Sequence, residues 1–184
     1  MAVRAFKIYG AGFKGPSPSV ESSAEMQAHV ARLVRSFARL TGGKSLPVLQ
    51  EAKNLDDAEI WRRLHYDESV ALLSTGPQED PILNYGNLGA QKLFEVNWEE
   101  LTSLPGRLTA GPMERQERQD FLDRVSKYGF VTDYSGIRTS AKGRKFRIVN
   151  ANVWNVLPDE DDTDSSKLGQ AAFFSTDVTR VDED

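Results

Sequence analysis

Three side-chain amides stand where a sheet could aim them at one ligand. Asn150 and Asn152 alternate in RKFRIVNANVWNVLP, residues 144–158, and Gln170 lies near the start of KLGQAAFFSTDVTRV, residues 167–181. At the strand period of two, Phe146, Ile148, Asn150, Asn152, Trp154 and Val156 share one face. Arg147, Val149, Ala151, Val153, Asn155 and Leu157 share the other. Both faces are mixed, which suits a central strand covered on both sides. Buried amides need partners. Backbone, one another or water can provide them, and so can a bound molecule.

Other chemistries find less support. Asp133 beside Tyr134 could serve as an acid–base pair only if buried with a shifted pKa. No nucleophile and base stand at motif spacing, so no catalytic residue is named. His29 and His65 are too few for a histidine-built metal site, and no metal ligand is named either. The chain has no cysteine, which excludes disulfides, zinc–thiolate sites, iron–sulfur clusters and a cysteine nucleophile. The five acids between Asp159 and Asp164 lack the glycine and terminal glutamate of a calcium loop and read as a solvated hairpin tip. Arg138, Lys142, Arg144, Lys145 and Arg147 form a basic counterpart, either a soluble turn or a dock for an acidic partner or phosphate. A formal net charge of −4 argues against nucleic-acid binding by bulk charge. No apolar run reaches the roughly 20 residues of a membrane span.

The elements that must position these groups follow from periodicity. A chain of 184 residues, 39% hydrophobic and 27% charged, fits one globular domain with a core of its own. Residues 1–23 read as a flexible tail, residues 24–181 as the domain, and 182–184 as an acidic end. The tail begins with Arg4, Lys7 and Lys14 and no acid before Glu21, which fits a basic arm or the remnant of a transit peptide. Met26, Val30, Leu33, Val34, Phe37 and Leu40 make one helical stripe that Gly42 and Gly43 terminate. LDDAEIWRRLHYD is a short helix, with His65 near its C-terminal end. SVALLSTG (69–76) and PILNYGN (81–87) are hairpin strands around PQED. Asn87 can cap the next helix, which turns Leu88, Leu93 and Phe94 inward. A short turn from Trp98, a helix over about 114–128 with Phe121, Leu122, Val125 and Tyr128, and three β segments complete the chain.

Strands joined by short polar turns are antiparallel, so this order gives an α+β sheet with helices over one face. The stretches LVRSFARLTG, DPILNYGNLGAQKLFEVNWEELTSLPGRLTA, RQERQDFLDRVSKYGFVTDYSGIRTSAKGRKFRIVNANVWNV and GQAAFFS resemble the MEKHLA domain, a PAS-related family, over most of residues 30–176. The resemblance implies a PAS-like five-stranded antiparallel sheet in the order 2-1-5-4-3. Short helices would lie on one face, with an extra N-terminal amphipathic helix. It also implies a pocket between sheet and helices, for which Asn150, Asn152, Trp154, Gln170, Phe94 and Tyr134 are the candidate ligand-binding residues. The amide cluster is similar to the one that holds the flavin ring in flavin-binding PAS relatives. The cofactor is unknown, and without cysteine a cysteinyl–flavin adduct cannot form. Neither histidine falls in the helices expected over the pocket, which disfavours haem. PAS-like domains often pair through an N-terminal helix, which makes Met26, Val30, Leu33 and Phe37 a candidate partner interface; the alternative is that this helix covers its own sheet. Phe94, Phe121, Trp154 and Phe174 are expected in a common core.

The resulting expectation is a non-catalytic PAS-like sensory or protein-interaction domain that binds a small molecule and signals through a partner. The alternatives are an enzyme using the same pocket and a structural subunit of a larger assembly. The candidate partners are a second copy and another protein, with no nucleic acid and no membrane span. The expected location is cytoplasmic, with the plastid stroma as the alternative.

Overall fold

The computed structural model describes residues 18–112, 114–160 and 166–181. Residues 1–17, 161–165 and 182–184, and with them the basic arm or targeting remnant, most of the acidic tip and the acidic end, lie outside the described residues. The order is α1 (Pro18–Glu21), α2 (Ala24–Leu40), α3 (Asp57–His65), β1 (Val70–Thr75), β2 (Leu83–Gly86), α4 (Leu88–Phe94), α5 (Trp98–Leu101), α6 (Arg115–Tyr128), β3 (Phe130–Thr139), β4 (Lys145–Asn155), β5 (Gln170–Ser175) and β6 (Thr179–Arg180). All pairings are antiparallel and the order is β2-β1-β5-β4-β3. The third β segment is not one strand. It breaks after Ser175, and Thr179 and Arg180 resume as β6 against Arg147 and Phe146 of β4.

Side-chain caps start the helices. Ser23 accepts from the Met26 N–H and Asp56 from the Glu59 N–H, at 3.2 and 2.8 Å. Asn97 and Glu100 form a reciprocal capping box on α5. Asn87 does more than cap α4. Its Oδ1 accepts from the N–H groups of Leu72 and Ala90, and its Nδ2 faces the carbonyls of Leu64, Asp67 and Val70, all within 3.0 Å. One fully buried amide thereby joins the end of α3, strand β1 and the start of α4. Residues 18–23, which the sequence assigns to the tail, instead carry the turn α1. Glu21 anchors it, accepting from Gln91 Nε2 at 2.7 Å.

The sheet is covered on both faces, as the mixed faces of residues 144–158 suggest, with the short helices α4–α6 on one and α2 and α3 on the other. Ala71 and Leu73 face α4, α6 and the 3₁₀ turn Gly106–Thr109. Val70 and Leu72 face α2 and α3. The stripe of α2 is spent on this second core. Val30 and Leu33 are fully buried, Phe37 meets the Trp154 ring edge-on at 5.0 Å, and Trp154 Nε1 donates to the Leu33 carbonyl. Met26 packs at its edge. The candidate partner interface of Val30, Leu33 and Phe37 is therefore the interior of the protein itself. The arginines beside it meet their own chain: Arg32 and Arg35 reach Asp159, and Arg39 donates to the Pro158 carbonyl.

Strand β4 does not keep its period. The register slips twice between β3 and β4, with one extra residue in each strand, and Asp133 and Asn150 adopt φ of 62° and 53°. Phe146 and Ile148 therefore face α4 and α6, and so do Ala151 and Val153 beyond the bulge, while Trp154 turns to α2. Phe94, Phe121 and Phe174 share a core as expected, but Trp154 belongs to the opposite one.

Two stability predictions follow from these contacts. Asn87→Asp should destabilise the protein by at least about 3 kcal/mol in a urea melt, because a carboxylate oxygen replaces the donor that faces three carbonyls. Phe37→Glu should lose its folded circular dichroism spectrum, since the charge would be buried against Trp154. A folded variant with altered oligomeric state would place Phe37 on an interface.

Candidate functional site

Between the sheet and α4–α6 lies a cavity of about 80 Å³. Its apolar wall includes Leu73, Leu83, Phe94, Ile148, Val153 and Phe174. Phe121 from α6 stacks on Tyr134 from β3 at 3.8 Å between ring centroids, and Phe94 meets Phe146 edge-on at 5.4 Å. Small-molecule sites usually span roughly 300–1,000 Å³. This cavity is small for that class.

Of the six expected ligand-binding residues, Phe94, Tyr134 and Gln170 line the cavity. Asn150, Asn152 and Trp154 do not. The bulge leaves Asn150 exposed, Asn152 faces a surface depression beside Phe37 and Gln50, and Trp154 packs under α2. Gln170 is held elsewhere than expected: its Nε2 lies 3.2 Å from Leu122 O, Ser126 Oγ and Asn155 Oδ1. The amide cluster is thus Asn155 with Gln170, tying β4 and β5 to α6. Asp133 is solvent-exposed, which removes it as a buried acid–base group.

Two cavity residues escaped the sequence reading. Arg118 of α6 and Arg138 of β3 both line it. Arg138 stands beside Tyr134 because Tyr134, Gly136 and Arg138 share a face. A Cβ at Gly136 would collide with the Tyr134 hydroxyl. By sequence Arg138 belongs with the basic tip, but it is 8% exposed and donates to Tyr134 Oη at 3.1 Å. The available signal for Arg118 was its spacing: three residues before Phe121 and seven before Val125, it puts a charge on an apolar stripe. Among the described residues, no group of three or more His, Asp or Glu could hold a metal ion, and no helix is long and apolar enough to cross a membrane.

The histidines belong to the opposite face. His65 is buried, stacked on Trp61, with Nε2 3.3 Å from Glu21 Oε1 and Nδ1 3.3 Å from the Tyr85 hydroxyl. The Glu21 carboxylate only accepts, which assigns the proton to Nε2 and lets Nδ1 accept from Tyr85. His29 Nε2 lies 2.9 Å from Ser74 Oγ. Burial lowers both histidines to about 4, with the charge of Arg32 adding to the effect at His29. Burial, and after it the Glu21 carboxylate, raises the Tyr85 phenol well above its ordinary range.

Residues 27–177 match the family model described as the MEKHLA domain. Among solved structures, the chain is similar to the PAS domain of a protein from Colwellia psychrerythraea, with 14% identity, TM-score 0.52, 65% of this chain and 92% of that one covered. It is also similar to an RNA-binding light-oxygen-voltage receptor, with 17% identity, TM-score 0.51, 71% of this chain and 36% of that one covered. At these identities the likeness is one of fold. No curated protein matches.

The buried histidines set a pH dependence. Their folded pKa values lie below the unfolded value of about 6.5, so unfolding takes up protons below that pH. The unfolding free energy should be insensitive to these groups above about pH 6.5 and fall as pH drops towards 4. Denaturant melts at successive pH values, with His29→Gln flattening the slope, would check this. A stability that rose on acidification over this interval would contradict the assignment of two neutral buried rings.

Proposed function

The chain belongs to the MEKHLA domain family, and from that premise we propose that it is a non-catalytic sensory domain. It binds a small molecule between the sheet and α4–α6 and signals through a partner protein. The observation that carries this reading is the cavity itself. It lies on the face with the short helices, is walled by side chains from both layers, and retains polar groups from α6 and β3. A cavity at the junction of two layers lets a ligand bias how they pack, which is what a sensor without chemistry requires.

The same helices offer a route out. Gln91 of α4 bonds the Glu21 carboxylate and the Gly86 carbonyl, while Phe94 on the same helix reaches the cavity. A shift of α4 on binding would be felt at α1, on the far side of the sheet edge. In this reading the N-terminal segment carries the signal to the partner.

Native mass spectrometry of the full chain purified under mild conditions tests the reading. The expected result is a species heavier than the polypeptide, carrying either a small molecule released on acid denaturation or a co-purifying chain. Ala151→Leu, which projects into the cavity, should remove the small molecule while circular dichroism stays folded. Bare polypeptide for wild type and variant alike, with no co-purifying chain, would contradict it.

A further inference from the structure

Two cations face the cavity with no acid set against them. Arg118 comes from α6 and Arg138 from β3, and both line the apolar space. Among the described residues, no carboxylate lies within 4.0 Å of either guanidinium. The neighbouring acids do not pair with them. Asp80, whose charge is felt at Arg118, takes both oxygens to Arg107 Nε at 3.1 Å. Glu95 accepts from Ser140 at 2.6 Å and faces Arg144. Glu114 has Oε1 4.0 Å from Lys145, while its Oε2 is buried without a hydrogen-bond partner. Arg138 is partly satisfied, since its Nη1 donates to the Ile137 carbonyl at 2.8 Å and its Nη2 to Tyr134 Oη at 3.1 Å. Those partners are neutral and leave its charge uncompensated.

Arg138 is buried and Arg118 half-buried, and a charge withdrawn from water is costly unless paired. Burial, and then the charge of Arg138, draws Arg118 down to about 10, so it remains a cation at neutral pH. The Tyr134 hydroxyl accepts from Arg138 and keeps its own proton to donate. Two guanidiniums and a phenol thus form a donor set that no carboxylate pairs, in a cavity whose other polar lining residues, Ser74, Thr75, Thr109 and Gln170, are all neutral. Size narrows the ligand. An apolar cavity of about 150 Å³ takes the six carbons of benzene, so one of about 80 Å³ takes a molecule of only a few heavy atoms.

We infer that the cavity is a binding site for a short aliphatic carboxylate of acetate-to-propionate size. The head group lies between Arg118, Arg138 and the Tyr134 hydroxyl, and the carbon chain lies against Phe94, Ile148 and Phe174. This rests on the cavity being the ligand site proposed above. Carboxylate binding supplies the missing counter-charge to α6 and β3 together, so the ligand draws the helix onto the sheet. A guanidinium fork accepts carboxylate and phosphate alike, so the preference for the carboxylate comes from its carbon chain, which covers apolar wall that an inorganic anion leaves uncovered.

Isothermal titration of the full chain with propionate, propionamide and inorganic phosphate tests the assignment. Propionate should bind saturably. Propionamide, of the same shape and uncharged, and phosphate, charged without a chain, should bind at least about tenfold more weakly. Arg118→Met and Arg138→Met should each weaken propionate by about tenfold or more. Propionamide or phosphate binding as tightly as propionate would overturn the assignment, as would undiminished propionate binding by the folded double variant. Should a variant fail to fold, the three-ligand comparison on wild type decides alone. If propionate fails to bind while native mass spectrometry shows another molecule that Ala151→Leu expels, the carboxylate falls and the sensory reading stands.

Discussion

The paired bulges in β3 and β4 are the constraint on which the rest of the molecule depends. Asp133 and Asn150 take left-handed backbone conformations, which short polar side chains tolerate better than most. Each inserts one residue, so the two strands leave register and regain it. The consequence is a change of face halfway along the central hairpin. Ala151 and Val153 arrive beneath α6 and wall the cavity, while Trp154 is delivered to α2, where its indole N–H meets the Leu33 carbonyl. A regular β4 would aim Asn150 and Asn152 into the cavity and pull Trp154 out of the second core. The apolar cavity and the burial of the N-terminal helix are thus two results of one local irregularity.

Much of the fold was legible because its signals are local or repetitive. The stripe from Met26 to Leu40, the hairpin around PQED, the Asn87 cap and the antiparallel order each follow from spacing or turn chemistry. The resemblance to the PAS-related family supplied the order of non-adjacent strands, which periodicity cannot give. That the sheet has a covered far side was legible in the mixed faces of residues 144–158, but which helix covers it was not. An amphipathic stripe shows that a helix is covered on one side but not by what, and here the cover is the helix's own sheet.

The site was half legible. Phe94, Tyr134 and Gln170 line the cavity, while Asn150, Asn152 and Trp154 were misplaced by the period-two reading. A bulge leaves no strong mark in sequence when its residue is not glycine, and Asn150 reads equally well as a pleated residue. The arginines were missed for another reason. Arg138 stands among basic residues that form an exposed tip, and only the closed sheet shows it turned inward beside Tyr134. Arg118 gains its meaning from Arg138, and the two meet only once α6 lies on β3.

The account therefore comes down to which polar groups face the interior on the α6 side: two guanidiniums, with the amides of β4 turned away. Side-chain ¹⁵N NMR measures this directly by following the Nε–H resonances of Arg118 and Arg138 and the amide resonances of Asn150 and Asn152 while propionate is added. The account predicts that both arginine signals shift together and saturate while the two asparagine amides stay fixed. Moving asparagine amides with static arginine signals would contradict both the facing of β4 and the charge logic of the cavity.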